Sequence, residues 1–180
     1  MGDRSGSETL GEGHFLRLVR RDGWEYVERT RPVRSVFIAA VTDQGRLLLT
    51  LEERIPVRRT VVGFPAGLVG DVAGEEDETL EAAVRRELLE ETGFAATSVT
   101  VLTEGPTSPG MNTEVIAVML AQGLRREGAG GGVAGEAIAV HEVPLEEVDA
   151  WLQARIAEGL LIDPKVYTGL YFLGRGAPRP

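Results

Sequence analysis

Apolar residues recur along the chain in two rhythms, and each predicts a different kind of element. Two short strand-like runs, within "HFLRLVRRDGWEYVERTR", flank Asp22-Gly23, a dipeptide suited to a tight hairpin turn. The runs "SVFIAAV" and "RLLLTLEE" flank "TDQG" and are continuously apolar, which predicts a second strand pair, more deeply buried. "TVVGFPAGL" reads as a short strand that ends in a Pro/Gly turn. Further strands are predicted at "TSVTVLTE", "EVIAVMLA" and "AIAVHEV", with "TSPGMNT" and "REGAGGGVAG" as loops. Helical spacing appears in "PLEEVDAWLQARIAEG", where Leu145, Val148, Leu152 and Ile156 recur after Pro144, and a shorter helix is expected from Pro164 to Leu173. The clearest helix begins after Thr79, a good N-cap residue, and stops at Gly93. Residues 1–12 are small and polar and are expected to be disordered. With no repeat or linker beyond them, residues 13–176 are expected to form one domain. Its order of elements predicts an α/β fold with helices packed on a mixed sheet.

The helix before Gly93 contains an anomaly. Its last part, "RRELLEETGF", places Glu87, Glu90 and Glu91 within five residues. With successive residues turned by about 100°, Leu80, Ala83, Val84 and Leu88 fall on one side of the helix and define a core-facing stripe. Glu87 and Glu91 then lie along the middle of that stripe, flanking Leu80 on the wheel, with Glu90 at its edge. An unpaired buried carboxylate costs several kcal/mol or takes up a proton. The C-terminal end of a helix disfavours negative charge by roughly 0.3–1 kcal/mol per group as well. Two readings follow: a solvated acidic face paired with arginines, or a site for a bound cation. On the wheel Arg85 and Arg86 point away from the three acids, which favours the cation. Clustered oxygen ligands suit a hard ion such as magnesium, held by a few carboxylates and by substrate phosphates.

Composition narrows the picture. The formal net charge of −9 argues against a nucleic-acid binder, which needs a basic surface, but a divalent cation would still admit a phosphorylated small molecule. The absence of cysteine excludes disulfides, thiolate metal sites and cysteine nucleophiles. No apolar run approaches the length of a membrane span, and a cytoplasmic protein is the default expectation.

At this point the residues resemble a known family. Positions 86–94, "RELLEETGF", match the "R-E-U-x-E-E-x-G-U" core of the Nudix box, where U is hydrophobic, and Glu78 stands where the box has an earlier glutamate. The box also has a glycine six positions before that glutamate, where this chain has Val72. If Gly67 of "FPAGL" is that glycine, five residues are inserted within "VGDVAGEEDE", ahead of the helix. The resemblance implies a Nudix-type α/β/α sandwich with a mixed sheet and an N-terminal β-hairpin. It also implies hydrolysis of a nucleoside diphosphate linked to another moiety, with Mg2+ or Mn2+ as cofactor. Carried over, Glu87 and Glu91 would be the principal metal ligands with the backbone carbonyl of Ala66, and Glu90 would be a ligand or assist the base. Water activation would fall to Glu90, Glu91 or Glu136, and Arg86 would orient the glutamates.

Further stretches resemble the ADP-ribose and ADP-sugar pyrophosphatases of the family. "TSPGMNTE" places Pro109 fifteen residues after Phe94, near that subfamily's marker proline, "FPAGL" agrees with it, and the resemblance implies that Gly67 and Pro109 contact substrate. Glu136, in the glycine-rich loop, matches a glutamate that binds metal or activates water, and the glycines ahead of it suit a mobile loop. Arg54, in "LEERIPVRR", matches an arginine near substrate and has the geometry to grip phosphate. His141 lies in an apolar strand and reads as structural, while Trp24 and Tyr26 suit a homodimer interface. The expected activity is therefore Mg2+-dependent hydrolysis of ADP-ribose or an ADP-sugar to AMP and a sugar phosphate, with neither nucleic acid nor membrane as partner. The alternatives are another nucleotide substrate or a non-catalytic nucleotide sensor. The retained glutamates weigh against the sensor.

Overall fold

The computed structural model describes residues 6–31, 33–72, 74, 76–132 and 137–175. Eleven strands and three α-helices follow one another among these residues. The Asp22-Gly23 turn forms as expected. Both residues have positive φ, 50° and 81°, the pair of left-handed conformations a two-residue hairpin turn of matching twist requires. It joins β2 (Leu16–Arg21) to β3 (Trp24–Arg29). β1 (Glu8–Glu12) adds a third antiparallel strand, so the disorder expected for residues 1–12 does not extend to this part of them. Its sequence carries no strand signal, and the order comes from backbone pairing with β2.

The next segments sort into two four-stranded sheets. β4 (Arg34–Ala40) and β5 (Arg46–Arg54) do not form the hairpin expected from "TDQG". They meet only at the bridge Val41–Leu47, beside a turn closed by Thr42, and then diverge. β4 joins β7 (Ala66–Val69), β9 (Val115–Arg126) and β8 (Phe94–Pro106) in the order β7-β4-β9-β8. β5 joins β10 (Ala139–Pro144), β6 (Arg59–Gly63) and β11 (Leu161–Ile162) in the order β10-β5-β6-β11. "TVVGFPAGL" is likewise two strands, split at Phe64-Pro65 so that β6 and β7 serve different sheets. Both sheets are mixed, since β4 pairs parallel with β9 and β6 with β11.

Continuous apolarity in β4 is explained by burial on both faces. Val36, Ile38 and Ala40 join a core under α1 (Leu80–Thr92), with Ala83, Val84, Leu88 and Met119. Ala39 faces a second core with Leu47, Leu49, Val62 and Val118, closed by α2 (Val148–Ala157) and α3 (Pro164–Gly174) through Leu152 and Val166. β9 alternates in the same way, Ile116, Val118 and Leu120 to one core and Ala117, Met119 and Ala121 to the other. No described helix is long and apolar enough to cross a membrane.

Candidate active site

The helix carrying the acids is defined by its ends. The Thr79 hydroxyl accepts from the Ala82 N–H, and Gly93, at φ 75°, donates its N–H to the Leu89 carbonyl. Between these caps Ala83, Val84 and Leu88 are fully buried, which fixes the rotation of α1 and turns Glu87 inward until it is 9% exposed. β7 lies alongside. A side chain at Gly67 would overlap the Glu87 carboxyl, so the absence of one there lets that carboxyl lie against β7. One residue earlier, the Ala66 N–H donates to Glu91 Oε2 over 3.2 Å. Glu87 and Glu91 thus both face the start of β7, and Glu90 lies beside them.

Arg86 is the hub of the arrangement. Its Nε and Nη2 each donate to Glu78 over 3.0 Å, and Nη2 donates to the Leu68 carbonyl at 2.9 Å. Nη1 donates to Glu87 Oε1 at 2.7 Å and stands 3.5 Å from Glu90 Oε2. The expectation that Arg86 points away from the acids is therefore wrong. The helical wheel places Cα–Cβ directions, and the long guanidinium bends back across the turn to reach its neighbours. Arg85 does point away, to Glu81 and to the Ala96 and Thr97 carbonyls.

Glu78 is the residue that sequence reasoning left without a role because of the insertion before it. Besides gripping Arg86, its Oε2 accepts from the Gly70 N–H at 2.9 Å. Arg86 also stands 3.5 Å from Asp71. The segment between Gly70 and Glu78 is closed at its root by these contacts, so its extra residues leave the helix undisturbed. The signal that could have found this is the eight-residue spacing of Glu78 from Arg86.

The electrostatics follow from this geometry. Hydrogen bonds from Arg86 hold the Glu78 carboxyl below the usual carboxylate range against the effect of burial. Burial pushes Glu87 up to about 7, with Arg86 opposing. One guanidinium thus serves four carboxylates, Asp71, Glu78, Glu87 and Glu90, and Glu91 adds a fifth acid nearby. The patch keeps a negative excess and holds one glutamate half-protonated near neutral pH, a donor set that fits a hard divalent cation. Among the described residues no three acidic or histidine side chains are gathered so as to hold a metal ion in the metal-free arrangement.

The other sequence-predicted residues lie elsewhere. Arg54 ends β5, pairs with Glu52 at 2.9 Å and lines a small cavity of about 20 Å3 with Phe64 and Asp163. Pro109 borders a cavity of about 380 Å3 with Trp24 and Tyr26. Its loop is pinned to β3, since the Val27 N–H donates to the Met111 carbonyl at 2.8 Å and the Thr113 N–H to the Val27 carbonyl. Glu136 lies outside the described residues. His141 packs its ring 5.4 Å from that of Trp151, in keeping with a structural role.

Residues 31–161 match the family model described as the NUDIX domain. The chain is 40% identical over 90 residues to the ADP-ribose pyrophosphatase of Bacillus subtilis (strain 168), covering 50% of this chain and 46% of that protein. It is 38% identical over 128 residues to the ADP-ribose pyrophosphatase of Mycobacterium tuberculosis, covering 68% and 60%. The matched stretch therefore spans about half of the first relative's length and three fifths of the second's. A GDP-mannose pyrophosphatase of Cronobacter sakazakii is 30% identical over 171 residues, covering 88% of this chain and 87% of that protein. Among solved structures, a crystal structure of an ADP compounds hydrolase superposes with a TM-score of 0.71 at 22% identity, covering 96% of this chain and 94% of that one, a likeness of fold.

Proposed function

The chain belongs to the NUDIX family, and on that premise we propose that it hydrolyses the pyrophosphate bond of a nucleoside diphosphate sugar, with ADP-ribose or an ADP-sugar as first candidate and Mg2+ or Mn2+ as cofactor. One observation carries the reading: Glu87 and Glu91 both face the start of β7, Glu90 lies near them beside Arg86, and Glu87 is buried with its carboxyl against Gly67. In this reading Glu87, Glu90 and Glu91 hold the cations, with the Ala66 carbonyl as a further ligand. A bound divalent ion would neutralise the diphosphate and lower the pKa of a coordinated water.

The chain's own groups do the positioning. Glu78 fixes Arg86, and Arg86 fixes Glu87 and Glu90, so the acids are oriented before substrate arrives. The Ala66 N–H holds Glu91 against β7. Burial of Glu87 keeps water from one side of the site and strengthens each charge interaction there. Arg54, Pro109 and Glu136 are proposed for substrate contact and water activation, on the strength of their match to the subfamily's motifs.

Two ADP-ribose pyrophosphatases among the relatives support adenine, while the GDP-mannose pyrophosphatase, matched over most of its length, supports a second reading with a guanine sugar nucleotide. A homodimer through the N-terminal sheet agrees with the exposure of Phe15 and Trp24. Hydrolysis of ADP-ribose, GDP-mannose, other nucleotide sugars and dinucleoside polyphosphates, each with and without Mg2+, tests the proposal. Turnover is expected with at least one nucleoside diphosphate sugar, and chelation should abolish it. Glu91→Gln should nearly abolish turnover while leaving the fold intact, a loss beyond the roughly 10–100-fold that follows removal of a group merely supporting a metal ligand. No turnover of any substrate with metal present overturns the reading in favour of a nucleotide sensor.

A further inference from the structure

The glycine-rich segment after β9 does something its composition conceals. Its backbone is docked on the last turn of α1 by a series of hydrogen bonds. The Gly131 N–H donates to the Glu91 carbonyl at 2.7 Å and the Gly132 N–H to the Glu90 carbonyl at 3.1 Å. The Glu127 and Gly128 N–H groups both donate to the Gly93 carbonyl, at 2.8 and 3.0 Å. A helix leaves its last carbonyls without partners inside the helix. Here another strand's continuation supplies them, and the carbonyls it takes belong to two of the proposed ligands. Donors at this end also oppose the negative pole of the helix, where Glu90 and Glu91 crowd their charge.

The approach is possible only for glycine. Gly130 has φ 70°, and a Cβ there would stand 2.5 Å from the Thr92 carbonyl carbon and 2.8 Å from the Glu91 carbonyl oxygen. A Cβ on Gly93 would run into the Gly128 carbonyl from the other side. Gly131, at φ 104°, has open space where a Cβ would go, and Gly128 would meet only an ordinary contact. The four glycines therefore differ sharply in what a methyl group would disturb.

We propose that Gly130 is a positioning residue: its close contact with α1 lets the amides of Gly131 and Gly132 set the placement of Glu90 and Glu91, and with it the cation affinity of the site. The inference rests on the functional reading above, in which those glutamates bind a divalent ion. It assigns the segment a fixed role at its root, in contrast to the mobility expected from its glycine content.

The test compares Gly130→Ala with Gly45→Ala, which shares the positive φ, 69°, but has open space around it in the turn between β4 and β5, and with Gly128→Ala. Mn2+ binding is measured by calorimetry on each metal-free protein, alongside kcat, KM and the thermal midpoint. Gly130→Ala is expected to weaken Mn2+ binding and lower kcat by about tenfold or more, the scale on which groups supporting metal ligands act, with KM changed less than about twofold. Gly45→Ala should lower the midpoint and keep Mn2+ affinity within about threefold of the parent, well inside that scale. Gly128→Ala should match the parent. A Gly130→Ala protein that loses midpoint but keeps Mn2+ affinity and kcat overturns the inference and leaves the function standing. A parent protein that binds no Mn2+ overturns both. Should Gly130→Ala fail to fold, amide exchange on the parent decides. Protection of the Gly131 and Gly132 amides should rise on adding Mn2+, and unchanged protection overturns the proposal.

Discussion

A carboxyl that is 9% exposed and lies on a helix's core-facing stripe lowers the stability of the metal-free protein, and the sign with pH can be worked out for Glu87. Its folded-state pKa is raised from 4.5 to about 7 by burial. Below pH 4.5 the group is protonated in both folded and unfolded chains and costs nothing. As pH rises from 4.5 to about 7 the unfolded chain releases the proton while the folded one keeps it, so stability falls, and the full cost is present above pH 7. Glu87→Gln in chelator should therefore stabilise the protein at pH 8 and leave it unchanged at pH 4. The expected gain is on the order of 3 kcal/mol, because each pKa unit corresponds to about 1.4 kcal/mol and the rise from 4.5 to about 7 already includes the opposing attraction of Arg86. Glu78 has the opposite sign. Its pKa is depressed by Arg86, so it contributes stability at neutral pH that disappears as pH falls through its folded-state pKa. Denaturant titrations of Glu87→Gln and Glu78→Gln at the two pH values check both. An equal gain for Glu87→Gln at pH 4 and pH 8 would refute the assignment of its cost to ionisation.

At the scale of elements, β4 decides how the molecule divides. Its residues alternate between two cores, so it is the wall that both share. Ile38 is fully buried beneath α1, among Val84, Leu88 and Met119. Ile38→Ala should cost about 2–5 kcal/mol in equilibrium unfolding, the range for deleting a large core side chain. A cost below about 1 kcal/mol would mean the wall collapses easily around the gap, contrary to the packing described. The same strand shows how far the sequence could be read. Burial on both faces was legible from "SVFIAAV", as were the caps of α1 and the Asp22-Gly23 turn, because each depends on a few adjacent residues. The assignment of strands to sheets was not, because pairing of β4 with β9 joins residues some eighty positions apart. Local signals at "TDQG" favoured a hairpin, whereas the two strands share one bridge and pair with partners in different sheets. In the candidate site the inward direction of Glu87 and Glu91 was legible from helix period alone. The reach of Arg86, the grip of Glu78 and the docking of Gly130 were hidden, since they depend on side-chain flexure, a closed insertion and contact between distant backbones.

At the scale of the whole molecule, the three-stranded N-terminal sheet stands apart from the two cores. Neither core cluster contains a residue before Val36, and the NUDIX match begins at residue 31. What joins the sheet to the rest is backbone pairing of Val27 with Met111 and Thr113, the Arg29–Glu114 ion pair at 3.3 Å, and a cavity of about 480 Å3 lined by Leu16, Val27 and Met111. Glu114 keeps two further partners without Arg29, the hydroxyls of Ser35 at 2.8 Å and Thr107 at 3.3 Å. The bonds of Glu87 to Arg86 and of Glu91 to the Ala66 N–H involve none of these groups. A chain begun at residue 31 is therefore expected to fold cooperatively, because both cores are intact. It should bind Mn2+ within about threefold of the full chain, less than the tenfold or more that follows loss of a group supporting a metal ligand. The loop carrying Pro109 loses its anchor on β3, so its amides should exchange faster and KM for the nucleotide sugar should rise by about tenfold, or about 1.4 kcal/mol of binding. Calorimetry, amide exchange and steady-state kinetics on the shortened chain measure the three outcomes separately. Loss of cooperative folding would place the N-terminal sheet inside the folding unit. An unchanged KM would remove the Pro109 loop from the proposed substrate site while leaving the cation site on α1 as described.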